Sequence, residues 1–85
     1  MIRFTVKVTT SGGLHARPAS VLVNQINKYT SSVTIRKNGK EANGRSLLSV
    51  MALGAKTGDE VEFEVSGEDE EEVAVTIQGL FQKNS

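Results

Sequence analysis

The chain has 85 residues, no cysteine and one histidine, and its ten Lys/Arg are balanced by ten Asp/Glu. That length supports one modest core and leaves no room for a separate substrate domain, which argues against a multistep enzyme. Without cysteine there are no disulfide staples or thiolate metal sites, one histidine cannot build a typical zinc site, and no apolar run approaches the roughly 18 residues of a membrane span.

The opening MIRFTVKV lacks the apolar core of a signal peptide, so the chain is expected in the cytoplasm without membrane insertion. IRFTVKV alternates strictly: Ile2, Phe4, Val6 and Val8 share one face, and Arg3, Thr5 and Lys7 the other, as in a half-buried strand. From Ala16 to Lys28 the spacing of Ala19, Leu22, Val23 and Ile26 predicts an amphipathic helix. SVTIRKNGKEAN sets Asn38-Gly39 between two short alternating runs, a hairpin signal because both residues tolerate positive φ. RSLLSVMALG reads as a short helix with Leu47, Val50 and Met51 on one side and Gly54 as its C-terminal stop. EVEFEVS alternates again, with Val61, Phe63 and Val65 inward and Glu60, Glu62 and Glu64 outward. EDEEEVAVTIQGLFQ opens with Asp69 and Glu72 at capping-box spacing, then carries Val73, Ile77, Leu80 and Phe81 down one helical face.

The order is β-α-β-β-α-β-α. Strands that are apolar on one face only call for an α+β fold: an open-faced β-sandwich, with a four-stranded antiparallel sheet and three helices on one face. Charge is segregated along the chain. Residues 1–57 carry nine Lys/Arg against one Glu, and residues 58–85 carry nine Asp/Glu against one Lys. In one compact domain these halves can neutralise each other, or the basic part around residues 15–56 can attract phosphate or acidic partners. If the first and last strands are neighbours, Arg3 and Lys7 suit pairing with Glu62 and Glu64. The acidic run 68–72 fits a helix start, where negative charge meets the positive end of the dipole.

The stretch SGGLHARPAS concentrates the chain's only histidine and only proline. Gly12-Gly13 ends the first strand in a turn, His15 falls at or just before the helix start, and Pro18 sits in the first turn, where its missing N–H has no intrahelical acceptor to lose. Histidine is a poor N-cap beside Ser, Thr, Asp or Asn, so local stability does not explain it. The unpaired first-turn amides, the helix dipole and the planar guanidinium of Arg17 suit an anion, and a neutral imidazole is a nucleophile near neutral pH. These residues describe either a phosphoryl-accepting histidine or a surface histidine beside a turn.

GLHARPAS resembles the active-site signature of the histidine-containing phosphocarrier proteins (HPr) of the bacterial phosphoenolpyruvate-dependent sugar phosphotransferase system. KYTSSV, NGKEANGRSLLSVMALGAKTGDEV and GEDEEE resemble that family's other segments in order, so the likeness covers essentially the whole chain as one HPr-like domain, 1–85. The resemblance implies a stoichiometric carrier, not a turnover enzyme, with neither metal nor cofactor. His15 would take a phosphoryl group on Nδ1 from phosphorylated enzyme I and pass it to the A domain of a sugar-specific enzyme II. Arg17 would stabilise the group and the Ala16 amide would help hold it. The family precedent is a monomer. Retention of His15 excludes the paralogues that lack the histidine.

Ser46 precedes LLSVM and reads first as a plain N-cap. In relatives from low-GC Gram-positive bacteria the matching serine is phosphorylated by an HPr kinase/phosphorylase, which slows transfer at the histidine and promotes binding to a catabolite-control transcription factor; Lys28, Tyr29 and Met51 resemble that branch. Leu47, Leu48 and Met51 form an apolar stripe that a core helix needs in part. The resemblance makes its exposed part, with Ser20, Arg17 and Arg45, the surface that docks both partners. Two positions depart from the family. Gly12 stands where Asn, Ser or Thr is usual, which leaves a freer loop beside His15, and Gly44 where glycine is not; the two bear on the transfer rate and on the rigidity of the segment before Ser46, not on the identity of the nucleophile. Two rivals remain in view. A nucleic-acid-binding α/β domain is opposed by zero net charge and a wet sheet face (Thr5, Glu62, Glu64) without stacking aromatics. A nitrogen-related or purely regulatory HPr paralogue would share every feature above.

Overall fold

The computed structural model describes residues 1–9 and 12–82. Its elements are β1 (Ile2–Lys7), α1 (Ala16–Ile26), β2 (Ser32–Lys37), β3 (Lys40–Asn43), α2 (Leu47–Ala52), β4 (Glu60–Ser66) and α3 (Glu70–Gln82), in the predicted order. The four strands form one antiparallel sheet in the order β1-β4-β2-β3. Its apolar face is covered by the three helices and the other is left to solvent, the expected open-faced sandwich.

Period-two alternation explains the layer. Val61, Phe63 and Val65 of β4 are buried with Val33 and Ile35 of β2, while their neighbours in sequence face outward. Phe4 of edge strand β1 stacks on Phe63 with ring centroids 5.4 Å apart, and Phe81 of α3 meets the same ring at 5.7 Å. From above, α1 inserts Ala19, Leu22, Val23 and Ile26, all buried, at the predicted helical spacing. The hairpin turns at Asn38 (φ 50°) and Gly39 (φ 81°), the left-handed pair that its sequence signal requires.

The outer face absorbs part of the charge segregation. Arg3 meets Glu64 at 3.2 Å across the β1–β4 pair, and Arg36 of β2 reaches Glu64 at 2.7 Å, Glu41 at 2.8 Å and Glu62 at 3.5 Å. Hydrogen bonds from Arg36 first, and the charges of Arg36 and Arg3 besides, hold the Glu64 carboxyl below its ordinary range. The expected role for Lys7 is corrected: the register sets it opposite Glu60, and Thr5 stands opposite Glu62, so Arg36 on the other side of β4 takes the partners foreseen for Lys7.

Two helix starts and faces also differ from expectation. Asp69 does not cap α3 through Glu72. Its carboxylate instead accepts from the Thr30 amide (2.9 Å), the Ser31 amide (3.0 Å) and the Ser31 hydroxyl, tying the start of α3 to the α1–β2 loop. The reach-back bond of the first turn comes from Glu70, whose Oε1 accepts the Gly67 amide at 3.0 Å. In α2, Val50 is buried and Leu53 follows it into the core, whereas Leu47 (37 % exposed), Met51 (38 %) and Leu48 (81 %) stay at the surface. Six residues provide under two turns, too short an arc for the whole apolar set to reach the core.

Asp69 generates a prediction. The Ser31 hydroxyl, then the Thr30 amide, hold its carboxyl below the ordinary range. A folded-state pKa below the unfolded one stabilises the fold above the unfolded value of about 4, and that stabilisation is lost as pH falls through the folded value. Asp69→Asn should therefore lower Tm at pH 7, and the gap to the unsubstituted protein should close as the melts are repeated from about pH 5 down to about pH 2. A gap that stayed constant over that range would remove the carboxylate's charge from the explanation.

Candidate functional site

The approach to His15 is set by the two loops that prolong the β1–β4 pairing. Beyond Lys7, the Val8 amide donates to Asp59 O and the Gly58 amide to Val8 O, both at 2.8 Å. The Gly13 amide then donates to Thr57 Oγ1 and the Leu14 amide to Ala55 O, both at 3.0 Å. At Gly13 (φ 78°) a Cβ would lie 2.5 Å from Ala55 O and 2.7 Å from Lys56 Cα, so only glycine permits this approach. The facing loop is braced by Asp59, whose carboxyl is held below its ordinary range by the Lys56 amide first and by Lys37 besides. Leu14 and Ala19 are buried on either side, which pins His15 between two core anchors while the residue itself stays exposed.

His15 is the N-cap of α1, with extended backbone (φ −83°, ψ −169°) and no side-chain capping bond. Its carbonyl accepts the first intrahelical bond, from the Ala19 amide at 3.0 Å. Pro18 has no amide hydrogen, so the first-turn amides outside the helical ladder are those of Ala16 and Arg17. Arg17 is exposed, and among the described residues no carboxylate pairs with it. His15, Ala16, Arg17 and Ser20 line one shallow, open depression, as the signature suggested, joined by Val21. Sequence reasoning missed Val21; its signal was an apolar side chain on the polar face of an otherwise regular amphipathic helix, and it is 47 % exposed.

The second group of candidates lies along α2, antiparallel to α1. The α2 end next to Ala55 lies by Leu14 at the start of α1, while Arg45, just before α2, lies at the end of α1. Ser46 is thus separated from His15 by the length of α1, about 16 Å for 11 residues. The Ser46 hydroxyl accepts the Ser49 amide at 3.3 Å, the plain N-cap its sequence context suggested. Leu47, Leu48 and Met51 are exposed between the two ends, with Met51 toward the His15 end.

Arg45 sits differently from a solvent-facing rim. Its Nη1 donates to the carbonyls of Tyr29 (2.8 Å), Ser31 (3.3 Å) and Ile26 (3.4 Å), and Asn27 Nδ2 donates back to Arg45 O at 3.4 Å. A cation is there at the negative end of α1, shared between Ile26 O of its last turn, which also accepts the Tyr29 amide, and two carbonyls of the loop that follows. Gly44 packs closely against β2. It is buried, its amide donates to Val33 O at 2.8 Å, and a Cβ would lie 2.7 Å from Val33 Cγ1. The missing side chain allows the chain before Ser46 to press against β2.

Among the described residues, no group of three or more His, Cys, Asp or Glu side chains is placed to hold a metal, and no helix is long and apolar enough to cross a membrane. What the site offers is an exposed imidazole, two amides at a helix start and a guanidinium, a set that suits an anion.

Arg45 can be tested directly. Arg45→Ala should destabilise the fold by about 1–3 kcal/mol by removing the guanidinium donor from the Tyr29 and Ser31 carbonyls, and should raise amide hydrogen exchange over residues 27–31. Unchanged exchange there would show that the guanidinium is not what holds the end of α1.

The chain resembles known proteins over nearly its whole length. Residues 2–83 match the family model described as the PTS HPr component phosphorylation site. The phosphocarrier protein HPr of Mycoplasma capricolum is 40 % identical over 78 residues, covering 92 % of this chain and 88 % of that protein. The HPr-like protein Crh of Bacillus subtilis is 37 % identical over 83 residues, 98 % of each. The crystal structure of HPr from Bacillus anthracis superposes with a TM-score of 0.90 at 31 % identity, over 95 % of this chain and 96 % of that one.

Proposed function

The chain belongs to the HPr family of the phosphotransferase system, and from that membership we propose that it works in the cytoplasm as one phosphocarrier domain over residues 1–85, taking a phosphoryl group on His15 from phosphorylated enzyme I and giving it to the A domain of a sugar-specific enzyme II. The observation that carries this reading is the placement of His15. His15 is the exposed N-cap residue of α1, beside the Ala16 and Arg17 amides and the Arg17 guanidinium, which has no carboxylate partner among the described residues. The step is a displacement: an imidazole nitrogen lone pair bonds to phosphorus as the bond to the donor's nitrogen or oxygen breaks. The amides and Arg17 stabilise the charge on the transferred oxygens. Onward transfer runs the same displacement with His15 as leaving group. The protein leaves the cycle unchanged and is a carrier, not an enzyme.

Docking of both partners is assigned to the exposed run of Leu47, Leu48 and Met51 with Ser20, to which Val21 is now added. Arg45 contributes to that surface by holding the end of α1 in place. Regulatory phosphorylation, by an HPr kinase/phosphorylase and followed by binding to a catabolite-control transcription factor, is assigned to Ser46. A dianion there would replace a neutral cap and stand beside Leu47 and Leu48, changing the docking surface without touching His15. The likeness to the HPr-like protein Crh supports keeping a second reading, a nitrogen-related or purely regulatory HPr paralogue.

Phosphorus NMR after addition of phosphoenolpyruvate and catalytic enzyme I separates these readings. The expected result is an acid-labile phosphohistidine signal that is absent in His15→Ala, with Arg17→Ala slowing its formation about ten- to a hundredfold, as loss of charge-assisted hydrogen bonds should. Folded protein that gives no histidine signal with a demonstrably active donor would overturn the carrier reading in favour of the regulatory one.

A further inference from the structure

Strand β2 sets a charged residue on its inner face. Alternation places Val33, Ile35 and Lys37 together toward the helices, and the first two are buried. The Lys37 side chain is only 18 % exposed, and its ammonium lies 3.3 Å from each of two oxygens: the Gly54 carbonyl, just past the end of α2, and Asp59 Oδ2, just before β4. Between residues 54 and 59 lie both acceptors that receive the backbone in front of His15, Ala55 O for the Leu14 amide and Thr57 Oγ1 for the Gly13 amide. We propose that Lys37 is a positioning residue for His15: its ammonium holds the 54–59 loop at both ends, and the loop fixes where Gly13 and Leu14 deliver the histidine.

The bonds around this cation make the loop respond as a unit. Asp59 Oδ2 accepts the Lys56 amide at 2.9 Å as well as the Lys37 ammonium, and the Asp59 amide donates back to Lys56 O at 2.9 Å, so a shift of Asp59 carries Lys56 with it. Gly13 transmits the shift, because its backbone is hydrogen-bonded to Thr57 and packed directly against Ala55 O and Lys56 Cα. Strand pattern alone does not call for the lysine: an apolar residue at 37 would complete the face begun by Val33 and Ile35. A lysine there can lay its stem along the sheet and bring its charge out at the edge, where the end of α2 and the loop meet. A partly exposed ion pair contributes little to global stability, so the effect of Lys37 lies in where it holds the loop.

This inference deepens the assignment of phosphoryl chemistry to His15 and rests on it, so its test uses a donor that needs no partner protein. With phosphoramidate, a His15 nitrogen lone pair bonds to phosphorus while the reagent's P–N bond breaks and ammonia departs, the ring proton staying on the other nitrogen. Lys37→Met keeps the length of the side chain and removes the cation. Phosphohistidine formation should slow about three- to tenfold, a fraction of the roughly hundredfold that a displacement of about 1 Å costs. Hydrogen exchange of the Gly13 and Leu14 amides should quicken by a similar factor, while that of Val23 and Ile26 in the core of α1 stays as it was. Lys37→Arg should restore both readings. Asp59→Asn separates position from charge. If Lys37 acted only by drawing in the anionic reagent, removing a negative charge would speed the reaction; if the pair holds the loop, Asp59→Asn slows it too, and the double variant is no slower than the slower single one. An unchanged rate in Lys37→Met, opposite changes in the two single variants, or exchange that quickens equally throughout α1 would overturn the positioning role. The same dependence with phosphoramidate, where phosphoenolpyruvate and enzyme I give no label, would sink the carrier reading and leave the role of Lys37 standing.

Discussion

The structure depends on β4 being a central strand with two different faces. It pairs with β1 on one side and β2 on the other, so each of its residues is constrained twice. Val61, Phe63 and Val65 have to meet the helices, and Glu60, Glu62 and Glu64 have to meet water. A slip of one residue in either pairing would bury the three glutamates, so the core and the registers of both neighbours are decided together. The ion pairs of Arg3 and Arg36 with Glu64 follow from that register. They lie on the solvent side and are worth little individually, so they confirm the pairing more than they drive it.

The same pairing carries the site. Where the β1–β4 ladder ends, its hydrogen bonding continues through Val8, Gly58 and Asp59, then through Gly13 with Thr57 and Leu14 with Ala55. His15 therefore begins α1 at a point measured from the sheet and not from a wandering loop. Four buried residues of α1 fix its rotation, so the direction in which the exposed residues Arg17 and Val21 point is settled by the core beneath them. At the far end of α1, Arg45 and Asp69 hold the α1–β2 loop from two sides, one on its carbonyls and the other on its amides. Both ends of the helix that presents His15 are thus tied to neighbouring elements.

What was legible in the sequence is what repeats with a period. Alternation in IRFTVKV and EVEFEVS, the spacing of Ala19 to Ile26, and Asn38-Gly39 all depend on residues near each other in the chain, and the structure reproduces them. Less legible was anything that needs two distant segments at once. Asp69 stands where a helix cap should be, yet its partners are 38 and 39 residues away, and no local pattern distinguishes the two uses. Lys7 and Arg36 are equivalent as strand cations on the solvent face, and both strands flank β4; only the register decides which of them meets Glu64. Arg45 looked like a surface cation because carbonyl acceptors leave no mark in side-chain sequence. His15 was legible for the opposite reason: it violates a local rule, and the rule's failure pointed to the residue. The chemistry assigned to it came from the resemblance, since a histidine at a helix start is compatible with several roles.

The openness of the site has a consequence for a carrier. Two unit charges ~4 Å apart attract by about 1 kcal/mol in bulk water and about 4 kcal/mol at an effective dielectric of ~20. His15 and Arg17 are exposed, so the contacts with a phosphoryl group proposed for them would lie toward the weaker limit. An enzyme gains by burying such a site. A molecule that must yield the group as readily as it accepts it would be trapped by the same gain, because stabilising the phosphorylated state more than the transition state raises the barrier to the next transfer. Closure is better supplied by each partner in turn, which desolvates the site only while the two proteins are joined. An exposed apolar surface running from near the histidine toward Ser46 would suit that arrangement: Val21, Met51, Leu48 and Leu47 offer area to cover without adding charge contacts that would persist after the partner leaves.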